Sequence, residues 1–79
     1  MEGVILVEEL KVGGTYRHYK NKLYKVIGVA KHSETLEDLV IYEALYENET
    51  SKLWARPKQM FLEEVEIEGK MVPRFKLEV

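Results

Sequence analysis

The chain has 79 residues, 12 Lys plus Arg against 14 Asp plus Glu, a formal net charge of −2, 46% hydrophobic and 33% charged residues, and no cysteine. These values fit one small globular domain across residues 1–79. They exclude a disulfide framework, a thiolate zinc site and a chain too polar to build a core.

Near the N-terminus the longest apolar run, residues 4–7, is too short for a signal peptide or a membrane span. A cytoplasmic monomer with no membrane partner is therefore the expectation. Residues 4–10 suit either a strand or a turn of helix. Residues 16–20 read Tyr-Arg-His-Tyr-Lys just before a turn at Asn21-Lys22, and strand alternation would put Tyr16 and His18 on one face and Arg17 and Tyr19 on the other.

Residues 23–32 are rich in β-branched and aromatic side chains and read as a strand, with Gly28 marking a bulge or bend. Residues 39–46 form a second long strand, apolar at Val40, Tyr42, Ala44 and Tyr46 and partly wet at Glu43. After a polar turn at 48–51, residues 52–56 alternate Leu53 and Ala55 against Lys52, Trp54 and Arg56. If Leu53 and Ala55 face the core, Trp54 and Arg56 share an outer stacking surface; in the inverse arrangement Trp54 is a core residue. Pro57 ends that strand and opens a helical turn over 57–61. Val65 and Ile67 alternate with acids and, through a turn at Gly69-Lys70, lead to Phe75, Leu77 and Val79, which predicts a hairpin with one buried face. Pro73 lacks a donor, so the last strand lies at an edge or is broken there. Five to six short antiparallel strands with one helical turn predict an all-β fold, a strongly bent SH3-like barrel, with an OB-like barrel as the alternative.

The small net charge conceals segregation. Residues 11–31 carry six bases and no acid, and residues 34–49 carry six acids and no base. Antiparallel neighbours of opposite sign account for this pattern at about 0.2–1 kcal/mol per cross-strand pair. A basic patch for an anion is the functional alternative.

Four clusters carry chemistry. Arg17 and His18 lie in the first. His32, Ser33, Glu34 and Glu37 lie in the loop between the two long strands, where imidazole, hydroxyl and carboxylates together suit acid–base work. In that loop Thr35 and Asp38 are spaced as a capping box. Trp54 and Arg56 form the third cluster and Arg74 beside Phe75 the fourth. All three arginines flank aromatics, a pairing suited to planar anionic or aromatic ligands. No metal-ligand spacing such as HExxH occurs, so neither a metal nor another cofactor is expected.

The segments GTYRHYK, YKVIGVAKHSETLEDLVIYEALY, LWARPKQMF and VPRF, in this order over residues 14–75, resemble the uncharacterised bacterial family called domain of unknown function 1653. Where the family pattern has glycine after HYK, Asn21 stands here, a residue that tolerates the left-handed conformation. Where it has WVRP, this chain has Trp54-Ala55-Arg56-Pro57. The resemblance implies a small free-standing cytoplasmic domain and brings no activity with it.

The residues themselves lead to a binding module for a small anionic or aromatic, nucleotide-like ligand. Arg17, His18, His32, Ser33, Glu34, Trp54 and Arg56 would converge on one surface. Arg17 and Arg56 would take the anion, Trp54 would stack, and His32 with Glu34 would set orientation. A small hydrolase or lyase using His32 or His18 with Glu34 is the enzymatic alternative, weakened by how little volume a 79-residue barrel can enclose. Single-stranded nucleic-acid binding through the basic block is less favoured, given the net charge, and a protein-interaction edge near Pro73 is a further alternative.

Overall fold

The computed structural model describes residues 10–78. Residues 4–9 of the ambiguous first segment and Val79 of the last strand fall outside that range. Seven strands and one helix follow in order: β1 (Thr15–His18), β2 (Leu23–Lys31), β3 (Asp38–Ala44), β4 (Leu53–Pro57), α1 (Lys58–Phe61), β5 (Glu64–Ile67), β6 (Lys70–Pro73) and β7 (Phe75–Glu78). The fold is all-β, with antiparallel pairing throughout. It is not a closed barrel. Five strands form an open sheet in the order β4-β3-β2-β1-β7, and β5 pairs with β6 in a separate ribbon.

Local chemistry accounts for most boundaries. Asn21 takes the left-handed conformation (φ 73°) that closes the β1–β2 turn, and Gly69 (φ 81°) does the same between β5 and β6. The β2–β3 register shifts between Val26 and Gly28, which places the bulge where the internal glycine predicts one. Pro73 ends β6, and the chain breaks at Arg74 before entering the large sheet. Phe75–Glu78 therefore pairs with β1 and not with Glu64–Ile67, which corrects the predicted hairpin. The partner of Glu64–Ile67 is the short segment Lys70–Pro73 directly after the turn.

One face of the sheet is the core. Tyr16, Val26, Val40, Tyr42 and Phe75 from four strands meet Phe61 of α1, with Leu10, Tyr24, Trp54, Leu62 and Leu77 packed around them. The Phe61 and Phe75 rings stack at 4.0 Å, and Tyr16 and Tyr42 meet Phe61 edge-on. The alternation read in β4 holds, but its core side is Trp54, while Leu53 is 56% exposed. Trp54 lies opposite Tyr42, whose side chain is buried, and this cross-strand partner decides the face.

The charge blocks are neighbours. Lys25 stands opposite Glu43 and Lys31 opposite Asp38, and the Lys31–Asp38 ion pair closes at 2.7 Å. Glu43 takes its ion pair from Lys52 at 3.2 Å.

Candidate functional site

Alternation along five strands brings a second set of residues to the core face at one end of the sheet, around the β1–β2 turn. His18 ends β1, Tyr24 lies near the start of β2, Phe75 starts β7, and Tyr46 follows β3. Arg56 joins them from β4. Its Nε donates to the Tyr42 hydroxyl at 3.3 Å, and its guanidinium lies 5.7 Å from the centre of the Phe75 ring.

The His18 ring lies 4.4 Å from that of Tyr19 and meets Phe75 edge-on at 4.9 Å. Its Nδ1 accepts a hydrogen bond from the Lys20 backbone N–H at 3.1 Å. Burial, and then the positive charges of Arg56, Arg74 and Lys20, hold its pKa below the ordinary value. The Tyr24 and Tyr46 hydroxyls share a hydrogen bond of 2.6 Å. Burial first, and then that bond, push the Tyr24 phenol well above the ordinary tyrosine value, so it stays neutral and able to donate.

Cations surround these rings. Lys22 Nζ lies 4.8 Å from the centre of the Tyr46 ring, and Lys20 Nζ lies 5.8 Å from that of Tyr19. Among the described residues, ion pairs engage Arg17, Lys31, Lys52 and Arg74, but not Lys20, Lys22 or Arg56. Arg74 is tied down twice, by Nη2 to Glu63 Oε1 at 3.1 Å and by Nε to the Met60 carbonyl at 3.1 Å. The half-buried Arg56 is therefore an oriented cation facing aromatic rings, with no carboxylate among the described residues to neutralise it.

The seven residues expected to converge do not form one site. His18, Trp54 and Arg56 share the core face. Arg17 lies on the reverse face, where its Nε donates to Glu78 Oε2 at 3.0 Å on the neighbouring strand. His32, Ser33 and Glu34 occupy the β2–β3 loop at the far end of a nine-residue strand from His18, roughly 25 Å from the β1–β2 turn at about 3.3 Å per residue. His18 and Glu34 thus cannot form an acid–base pair. His32 instead organises its own loop, with Nδ1 accepting from the backbone N–H groups of Glu34 (3.1 Å) and Thr35 (3.3 Å). The Thr35–Asp38 capping box is also absent from the described residues: Asp38 opens β3 and pairs with Lys31, while Thr35 Oγ1 accepts from the Glu37 N–H at 3.3 Å. The loop holds a single helical turn, closed by the Leu36 N–H to the His32 carbonyl at 2.8 Å, and Leu36 (φ 65°) ends it.

Trp54 is mostly packed against the core. Its Nε1–H is buried without a hydrogen-bond partner among the described residues, so it is no exposed stacking platform. Tyr24 and Tyr46 belong to the site although the sequence marks them only as strand residues; Lys22 enters it from the turn and Phe75 from the Arg74-Phe75 cluster. The apolar spacing that reaches Tyr46 was the one available signal. Beside the site, an open cleft of about 620 Å³ is lined by Glu43, Tyr46, Glu47, Glu49 and Lys52 among others. A cleft of about 370 Å³ lies between Asp38 and the start of α1. Neither cleft is lined by His18, His32, Glu34 or Arg56. No helix among the described residues is long and apolar enough to cross a membrane.

Comparison with known proteins agrees with the resemblance seen in the motifs. The family model described as protein of unknown function (DUF1653) matches residues 14–77. The chain is similar to the crystal structure of a DUF1653 protein from Bordetella bronchiseptica, with 34% identity over 81% of this chain and 82% of that one and a TM-score of 0.76. No curated protein matches.

Proposed function

We propose, for a chain that belongs to the DUF1653 family, the role of a binding module for a small ligand that joins an anionic group to an aromatic ring. The observation that carries this reading is Arg56, a half-buried guanidinium oriented by the Tyr42 hydroxyl and the Phe75 ring and paired with no carboxylate among the described residues. A planar guanidinium matches carboxylate or phosphate with two parallel hydrogen bonds, and a partly desolvated site strengthens them. Lys20 and Lys22 add positive charge at the rim. The rings of Tyr19, Tyr24 and Tyr46 offer faces and edges to an aromatic ligand.

The adjoining acidic cleft favours a small ligand over a polymer. Glu43, Glu47 and Glu49 line it next to Tyr46, so a longer polyanion leaving the site on that side would meet like charge. Single-stranded nucleic acid is therefore disfavoured. So is acid–base catalysis, because the carboxylates that would assist His18 are absent from its described surroundings.

The test is a titration of the isotope-labelled protein with nucleoside monophosphates, aromatic carboxylates and their uncharged analogues. The charged probes are expected to shift the amides around Arg56 and Tyr24, and the uncharged ones to shift them far less. Arg56→Gln removes a charge-assisted contact of about 1.5–3 kcal/mol, so affinity should fall by roughly ten- to a hundredfold. Equal binding by Arg56→Gln and the unmodified protein would sink this assignment.

A further inference from the structure

The proposed anion site adjoins a histidine whose protonation state the surrounding geometry controls. Its Nδ1 lone pair accepts from the Lys20 backbone N–H, so the neutral ring carries its proton on Nε2. A second proton must go to Nδ1, where it faces that same N–H, and the hydrogen bond is lost. Burial by the neighbouring rings and the nearby cations add to this preference. The β1–β2 turn contributes Tyr19 and the Lys20 ammonium, β2 the neutral Tyr24 phenol, and β7 the Phe75 ring. From β4 comes the Arg56 guanidinium, and from the β6–β7 junction Arg74, whose charge is shared with Glu63. Three cations and three aromatic rings thus surround the imidazole.

We propose that anion binding at Arg56 is linked to protonation of His18, so that the site takes up a proton with its ligand and binds more tightly as the pH falls. The inference rests on the anion-binding reading above. Arg56 and His18 flank the same Phe75 ring, at 5.7 and 4.9 Å from its centre, so an anion on Arg56 offsets a positive charge acting on His18 and adds an attractive one, which stabilises the imidazolium. The proton comes from solvent and lands on Nδ1. The Lys20 N–H then loses its acceptor, so occupancy also reaches the backbone of the turn that carries Tyr19 and Lys22. That turn is otherwise closed by His18 N–H to the Lys22 carbonyl at 2.8 Å and by Asn21 N–H to the His18 carbonyl at 2.7 Å. These two bonds keep it folded when the third is lost. By thermodynamic reciprocity, protonating His18 raises anion affinity by the factor with which the anion favours the proton.

Naphthalene-2-sulfonate is the probe, because its charge is constant across the titration of histidine. The His18 ring is followed by NMR against pH in the unmodified protein, with and without saturating probe, and the His32 ring at the far end of the sheet is the internal control. The His18 midpoint should rise by about one pH unit on binding, which corresponds to a roughly tenfold tightening of the probe between neutral and acidic pH. Without probe, Arg56→Gln should itself raise the His18 midpoint; should that variant not fold, the unmodified protein decides alone. Binding that leaves the His18 titration unmoved overturns the linkage and spares the anion site. Failure of the probe to bind at any pH overturns both.

Discussion

At the scale of single residues, His18 and Asp38 make stability depend on pH even without a ligand. The native His18 pKa is lowered, by burial first and then by Arg56, Arg74 and Lys20. Between the ordinary value of about 6.5 and that lowered value the unfolded chain binds the extra proton and the native protein does not. Stability therefore falls on acidification through this window. Asp38 is lowered chiefly by its hydrogen bond with Lys31, so its contribution is complete above the ordinary carboxylate range and is lost as the pH falls through its native value. Thermal melts from neutral to acidic pH should show two declines, and His18→Gln should remove the upper one and leave the lower. A single decline unaffected by that substitution would contradict the environment described for His18.

At the scale of elements, two glycines in similar apolar contexts have opposite requirements. A Cβ on the buried Gly14 would lie 3.0 Å from Leu77 Cδ1 and 3.1 Å from the Lys11 carbonyl oxygen. Backbone cannot yield there as a side-chain tip can, so Gly14→Ala should cost about 1–3 kcal/mol in chemical denaturation. Gly28 lies beside the β2 bulge, yet a Cβ on it meets nothing within 4 Å and its φ is not in the left-handed region. Gly28→Ala should change stability by less than about 0.5 kcal/mol. Phe61 is fully buried at the end of a four-residue helix that has no side-chain cap. Phe61→Ala should cost about 3–5 kcal/mol, because the stacked Phe75 ring and the edges of Tyr16 and Tyr42 lose their shared partner. The helix is held by that one anchor and not by its own propensity, which four residues cannot supply. Strand positions were legible in residues such as Val40, Tyr42 and Ala44 because alternation is a local property. Their partners were not: nothing near Phe75 says that its strand pairs with β1.

At the scale of the whole molecule, the protein is an open sheet closed over by one helix, plus a ribbon. The β5–β6 ribbon keeps Val65 and Val72 half-buried and leaves Met71 59% exposed; the Arg74 N–H to the Glu63 carbonyl at 3.0 Å closes its base, and the Tyr19 N–H to the Arg74 carbonyl at 3.0 Å ties that base to the β1–β2 turn. Two-stranded ribbons are marginal without further packing. Amide hydrogen exchange should therefore be fastest in Glu64–Ile67 and Lys70–Pro73 and slowest in the centre of β2 and β3. Equal protection of ribbon and sheet would show that the ribbon packs more firmly than its exposure indicates.

Composition, alternation and turn residues by themselves determined the all-β class, most strand positions, the bulge beside Gly28, the helical turn after Pro57 and the juxtaposition of a basic with an acidic strand. Those features follow from interactions within a few residues or between adjacent strands. The core side of β4, the departure of the last strand to β1 and the approach of Arg56 to the Phe75 ring were decided only in three dimensions. Each depends on which distant residue packs opposite, and a side-chain period of two reads the same whichever face is buried. The site formed by His18, Tyr24, Tyr46 and Arg56 has that same origin: residues of ordinary local character from β1, β2, the segment after β3 and β4, brought around the Phe75 ring by long-range pairing.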